Sequence, residues 1–378
     1  MSFTPPRTLP GTLRRPLFVL LLALTGCVRD CSAQPAPNAG PERSGAPAQG
    51  RRPTSPEISA DDLRRRVYIF ADDSMQGRRA ATPGHERSLR YIERELTRLG
   101  LTPAGDSGTF FQRVPLSPEA NGPVSRNVVA LLQGSDSTLR AQYVALGAHS
   151  DHEGMRPPVA ASSMRPGSED LIYNGADDDA SGSMALLELA EYFAAARVRP
   201  KRTLLFVWHT GEEINLNGSE WFVTHPTVPL DSIVVQLNID MIGRGGAGDV
   251  PGGGDDYLAV IGSRRQSSEV GAWVSEVNAA LTKPLKLDYS LDSPNHPEAL
   301  FCRSDHWNYA SRGIPVVFFH TGLHRDYHAV TDEPRTLDYR HAARIVSYIG
   351  AVVEKVANTN TRPNVDLPRP APGAVCRQ

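Results

Sequence analysis

Apolar residues along this chain fall into two rhythms that alternate. Short apolar runs occupy 127–132, 143–149, 203–208, 233–239, 257–262 and 315–319. Each reads as a strand, and 203–208 as one buried on both faces. Longer stretches between them carry apolar positions at helical spacing. Ser59 caps a helix that Asp61 and Asp62 favour and that runs to about Ala71. Pro83 opens another that ends near Gly100. Further helices are predicted over 181–196, where Leu186, Leu187, Leu189 and Ala190 form an apolar face, and over 218–225, 267–281, 304–310 and 335–355. Residues 75–79, 150–176 and the glycine-rich 243–256 read as loops. Strands alternating with helices predict an α/β domain: a three-layer α/β/α sandwich around a mostly parallel mixed sheet.

The two ends depart from this rhythm. Arg7, Arg14 and Arg15 precede an apolar run over 16–24, which has the form of a signal peptide and is too short to anchor a chain across a bilayer. The run ends in Leu24-Thr25-Gly26-Cys27, which resembles the bacterial lipobox. The expectation is an exported lipoprotein, tethered at the outer membrane through lipid on Cys27, or else a secreted protein. Residues 28–56 are rich in Pro, Ala, Gly and Ser and read as a flexible spacer, and 361–378 as a Pro-rich tail. The catalytic domain is therefore placed at 57–360.

Composition narrows the function. Of 378 residues, 40% are hydrophobic and 22% charged, with a formal net charge of −2. That is ordinary for a globular protein and excludes the basic balance of a nucleic-acid binder. The four cysteines are Cys27, Cys31, Cys302 and Cys376. Lipid on Cys27 would leave an odd number. Their wide spacing and the lack of a Cys-x-x-Cys pair argue against a cysteine metal site, and no disulfide is predicted.

Five polar stretches each end or follow an apolar run: His149-Ser150-Asp151, Asp177-Asp178-Asp179, Glu212-Glu213, Asp240, and Asp326-Tyr327-His328. In an open α/β sheet they would meet beyond the carboxyl ends of the strands, where such folds bind ligands. Imidazole and carboxylate suit Zn²⁺, and this many anionic groups would serve two divalent ions. Neighbouring Glu side chains diverge, so one can hold a metal while the other reaches water; sequence alone does not say which does which. There is no His-Glu-x-x-His and no Gly-x-Ser-x-Gly, which counts against a thermolysin-like protease and a serine hydrolase of the α/β type.

These stretches, with Asn174–Gly182, Gly211–Glu213 and Leu237–Met241, resemble the M28 family of co-catalytic zinc aminopeptidases over roughly 60–355. The resemblance implies that Asp178 bridges two zinc ions, that His149 and Asp240 complete one site, and that Glu213 and His328 complete the other. It implies Glu212 as general base, Asp151 as the carboxylate that orients His149, and a cis peptide between Asp178 and Asp179. Tyr327 matches a tyrosine that helps stabilise the oxyanion in some members. His152, His320 and His324 are left as rim or structural residues. The protease-associated insertion of many bacterial relatives is not expected in the short stretch 112–126. Peptides are the implied substrates. Three alternatives stay open: a glutaminyl-cyclase-like acyltransferase, which uses one zinc; a carboxypeptidase or other amide hydrolase on the same scaffold; and a non-catalytic binding lipoprotein.

Overall fold

Four strands that run the same way form the middle of a nine-stranded sheet. The computed structural model describes residues 54–155, 170–370 and 375–378. The lipobox, most of the spacer and part of the loop at 150–176 lie outside them. The strands are β1 (Thr102–Pro103), β2 (Phe111–Pro115), β3 (Val124–Leu132), β4 (Tyr143–His149), β5 (Gly154–Met155), β6 (Ile172–Tyr173), β7 (Thr203–His209), β8 (Ile233–Ile239), β9 (Tyr257–Ile261), β10 (Lys286–Asp288) and β11 (Val316–His320). The order is β1-β3-β7-β4-β8-β11-β9-β10, with β2 also on β3 and β5 paired with β6 apart. The β7-β4, β4-β8 and β8-β11 pairs are parallel, and the outer strands β3 and β9 join antiparallel. Register aligns the ends: His149 pairs with His209, and Ile239 with Phe319. The carboxyl ends of four strands therefore open onto one place.

The helices are α1 (Ala60–Phe70), α2 (Pro83–Leu99), α3 (Ala180–Ala195), α4 (Asn217–Thr224), α5 (Ser268–Ala279), α6 (His306–Ser311) and α7 (Tyr339–Asn358). Strand side chains alternate between two apolar layers, as the period of two requires. Val128, Val144, Leu146, Phe206 and Leu237 pack with α1, α2, α3, α5 and α7. Val129, Ala145, Leu205 and Val207 pack on the other face with Phe222 of α4 and Tyr309 of α6. This is the three-layer arrangement that the alternation of strands and helices predicts. Ser59, Thr82 and Ser267 cap α1, α2 and α5 through their hydroxyls. No helix among the described residues is long and apolar enough to cross a membrane.

Three differences from the sequence reading have physical reasons. β1, β2 and β10 carry Pro103, Arg113 and Lys286, so no apolar run marks them; each pairs on one side only. Part of 112–126 is therefore strand rather than connection. The residues after 361 do not form a free tail. Asp366 accepts from the Ser268 backbone N and Oγ, and Gln378 Oε1 accepts from the Phe301 backbone N. Cys302 and Cys376 are joined by a disulfide, a pairing that the sequence left open. Sequence parity could not find it, because only the return of the tail brings positions 74 residues apart together.

Candidate metal centre

His149 is the last residue of β4, and Asp240 follows β8 directly. Glu212 and Glu213 lie on the turn after β7, Asp178 on the turn that leads into α3, and His328 on the segment after β11. All of them converge. Asp178 Oδ1 lies 3.0 Å from His149 Nε2, which is 3.6 Å from Asp240 Oδ1. Asp178 Oδ2 lies 3.0 Å from His328 Nε2, which is 3.1 Å from Glu213 Oε2. The two oxygens of one carboxylate thus face two separate pairs. The Asp178–Asp179 peptide is cis.

His152, read from sequence as peripheral, joins the second group. It is buried, with Nδ1 2.7 Å from Glu213 Oε1 and 3.7 Å from Asp178 Oδ2. Asp151 also differs from its expected role. His149 Nδ1 meets the Asp151 main-chain carbonyl at 3.0 Å, while the carboxylate stands 4.0 Å away and accepts from the Glu212 backbone N. The expected orienting contact on His149 is thus made by main chain, and the Asp151 side chain positions the Glu212-Glu213 turn. Asp179 approaches His149 and Asp240, but backbone N–H groups of His149, Gly182 and Met241 occupy its oxygens. It serves as the N-cap of α3.

Sequence reasoning missed the groups that hold this cluster from behind. Arg78 is fully buried and donates to the carbonyls of Asn174 at 2.6 Å, Gly175 at 2.9 Å and Ser150 at 3.2 Å, with longer contacts to Phe70 and Asp178. It ties the loop after His149 to the loop that carries Asp178. Gly175 makes the close turn possible: its φ is +52°, and a Cβ there would stand 2.1 Å from the Asp178 carbonyl. The Asp332 carboxylate accepts from the Asp177 and Asp178 backbone N–H groups. Ser304 Oγ donates to Asp240 Oδ2 at 2.5 Å and accepts from Asn238 Nδ2. His324 Nε2 lies 3.1 Å from Asp177 Oδ2, and His320 Nδ1 meets the Asp240 carbonyl at 2.7 Å.

The electrostatics fit cations. Burial opposes charge on His149, yet Glu212, Asp240 and Asp178 raise its pKa well above the usual value. Burial pushes Glu212 well above the ordinary carboxyl range, and Asp240 and Glu213 add to the shift while His149 opposes it. Against burial, His149 and His328 hold Asp178 well below that range, and His152 and His328 bring Glu213 down to about 2. Against burial, Asp178 and Glu213 lift His328 to about 10. Four carboxylates share one pocket wall, and imidazolium is the charge that balances them. His152 Nε2 and His320 Nε2 are buried without a hydrogen-bond partner. Buried orphan imidazole nitrogens beside clustered carboxylates suit divalent metal ions.

The centre forms the floor of a cavity of about 280 Å³. Leu216, Met241, Leu300, Phe318 and Leu323 supply an apolar wall. Tyr327 and Arg303 also line it, with the Arg303 guanidinium 3.2 Å from the Tyr327 hydroxyl and the tyrosine ring 3.9 Å from that of His328. Burial, Asp178 and Glu213 raise the Tyr327 pKa, so the phenol keeps its proton.

Known proteins share this fold. The aminopeptidase from Aneurinibacillus sp. strain AM-1 superposes with a TM-score of 0.58 at 15% identity, covering 83% of this chain and 98% of that one. The Porphyromonas gingivalis glutaminyl cyclase gives 0.58 at 17%, covering 79% and 98%. In sequence, leupeptin-inactivating enzyme 1 of Streptomyces exfoliatus is 27% identical over 234 residues, which is 61% of this chain and 45% of that protein. The chain thus spans less than half the length of that relative. The model of peptidase family M28 matches residues 127–353, from β3 into α7 and across every stretch that builds the centre. On that match over more than half of its length, the chain belongs to peptidase family M28.

Proposed function

We propose that this protein is a two-zinc aminopeptidase that removes apolar residues from the free N-termini of peptides. The observation that carries the reading is the Asp178 carboxylate, whose two oxygens each stand 3.0 Å from a different imidazole nitrogen. His149 and Asp240 would hold one ion, Glu213 and His328 the other, and Asp178 both, with His152 close to the second. Bound zinc in such a pair lowers the pKa of water and polarises the scissile carbonyl.

The remaining steps belong to the chain. Glu212, on the cavity wall, takes the proton of the attacking water on its carboxylate and passes it to the departing amide nitrogen. The Asp151 carboxylate fixes the turn from which Glu212 reaches in. The protonated Tyr327 hydroxyl stands at the cavity and can donate to the oxyanion as it forms. Leu216, Met241, Leu300, Phe318 and Leu323 accept the first side chain. The acidic floor attracts a protonated α-amine.

Glu212→Gln tests the assignment. The variant should keep both metals by elemental analysis and lose about 10²–10⁴-fold in kcat on an aminoacyl-p-nitroanilide. Near-native turnover with the metals in place would remove Glu212 from its role. Hydrolysis of N-acetylated but not free substrates would overturn the aminopeptidase reading. The shared fold with a glutaminyl cyclase keeps acyl transfer as an alternative. That reading would leave His149 and Asp240 without a task, although His149 stands between Asp178 and Asp240.

We further propose export, with lipid on Cys27. The signal-like N-terminus supports it, as does the Cys302–Cys376 disulfide, a bond that persists in oxidising compartments. Sedimentation with membranes that Cys27→Ser abolishes would bear this out, and equal release of both forms would not.

A further inference from the structure

A second cavity, of about 580 Å³, adjoins the metal centre. It lies between the β2–β3 hairpin, which supplies Arg113, Leu116 and Glu119, and the segment after Glu213, which supplies Ile214 and Trp221. Asn215 lines both cavities. Glu213 faces the metal pocket and Ile214, the next residue, faces the groove. Consecutive Cα atoms stand about 3.8 Å apart, so the groove begins within one or two residues of the centre.

The two cavities share a wall. Gly211 opens the turn with φ +66°, and a Cβ there would stand 2.9 Å from Leu116 Cδ2. The hairpin thus rests directly on the turn that carries Glu212 and Glu213. The Ile214 and Asn217 backbone N–H groups donate to the Gly211 carbonyl, and that of Leu216 donates to the Glu212 carbonyl. One compact turn therefore presents acids to one cavity and Ile214, Asn215 and Asn217 to the other.

We infer that this groove is a binding site for the part of a peptide substrate that follows the scissile bond. The inference rests on the aminopeptidase reading. The metal pocket, at about 280 Å³, has room for one side chain and the reacting amide, and a longer chain must leave it. Asn215 marks a way out that is continuous with a larger space. The lining suits an extended peptide. Asn215 and Asn217 offer amides to its backbone, Trp221 offers an indole, and Arg113 and Glu119 offer one charge of each sign. At about twice the volume of the metal pocket, the groove has room for more than one residue of an extended peptide. The substrate class is oligopeptides rather than dipeptides.

The test compares Leu-p-nitroanilide with a pentapeptide that begins with Leu, on metal-loaded full-length protein. Ala120 is exposed at the hairpin tip and lines the groove, so Ala120→Trp fills the space without removing a contact. It should lower kcat/KM on the pentapeptide at least fivefold and leave the nitroanilide within twofold. Trp221→Ala should show the same selectivity. An equal effect on both substrates, or none on the pentapeptide, would overturn the groove. Calorimetric binding of the pentapeptide to Glu212→Gln, with and without Ala120→Trp, gives a reading independent of turnover. An unchanged Kd there also overturns the groove. Weakened binding with no hydrolysis of any peptide would keep the groove and sink the aminopeptidase reading instead.

Discussion

His306 is sealed beneath the cavity, its ring 4.4 Å from that of Phe318 and 5.4 Å from that of Phe301. Burial lowers its pKa to about 3, and burial does the same to His85 beside Ser125 and Ser150. Both are neutral in the folded protein and titrate near 6.5 when unfolded. Between those values the unfolded chain binds more protons, so stability rises with pH and is lost as pH falls from 6.5 toward 3. A depressed unit is worth about 1.4 kcal/mol, so each histidine can account for a few kcal/mol of acid sensitivity. His306→Phe keeps the ring and removes the titration. Melting of chelated protein at pH 4.5 and 7 should show a smaller loss in the variant than in the wild type. Parallel losses would show that His306 does not titrate in this window. Nothing in hydropathy marks His306 or Arg78 as buried, because polar residues in loops and short helices carry no period. The chemical stretches could be read because each is tied to the end of an apolar run.

At the scale of elements, the central strands and longer helices could be read from sequence, since burial on both faces leaves an uninterrupted apolar run. Ser59, Pro83 and Gly100 mark helix ends within a residue or two of where the structure places them. Edge strands escaped because they pair on one side and carry polar residues. α7 begins at Tyr339 rather than near 335, because Pro334–Thr336 makes a separate turn and Asp338 caps the helix. The cluster at the centre depends on register. β4 and β7 are aligned residue for residue, so His149 stands level with His209 and the turn that follows brings Glu212 and Glu213 back toward it. A slip by one residue would turn His149 to the opposite face. Sequence order could bring the five polar stretches together but not His152, whose place depends on how the chain leaves β4.

At the scale of the whole molecule, the bond between Cys302 and Cys376 joins the end of the chain to the wall of the active cavity. Leu300, Arg303 and Ser304 line that cavity on either side of Cys302, and Ser304 holds Asp240. Closing a loop of 74 residues removes about 4 kcal/mol of unfolded-chain entropy in the simplest model. Treatment with a non-chelating phosphine should lower the melting temperature and raise KM for apolar substrates before it touches the metals. A reduced protein with unchanged melting and KM would show the bond to be idle. A peptidase whose pocket wall is held by this bond would lose strength where thiols are abundant. Dithiothreitol in an assay buffer would strike twice, opening the bond and competing for zinc.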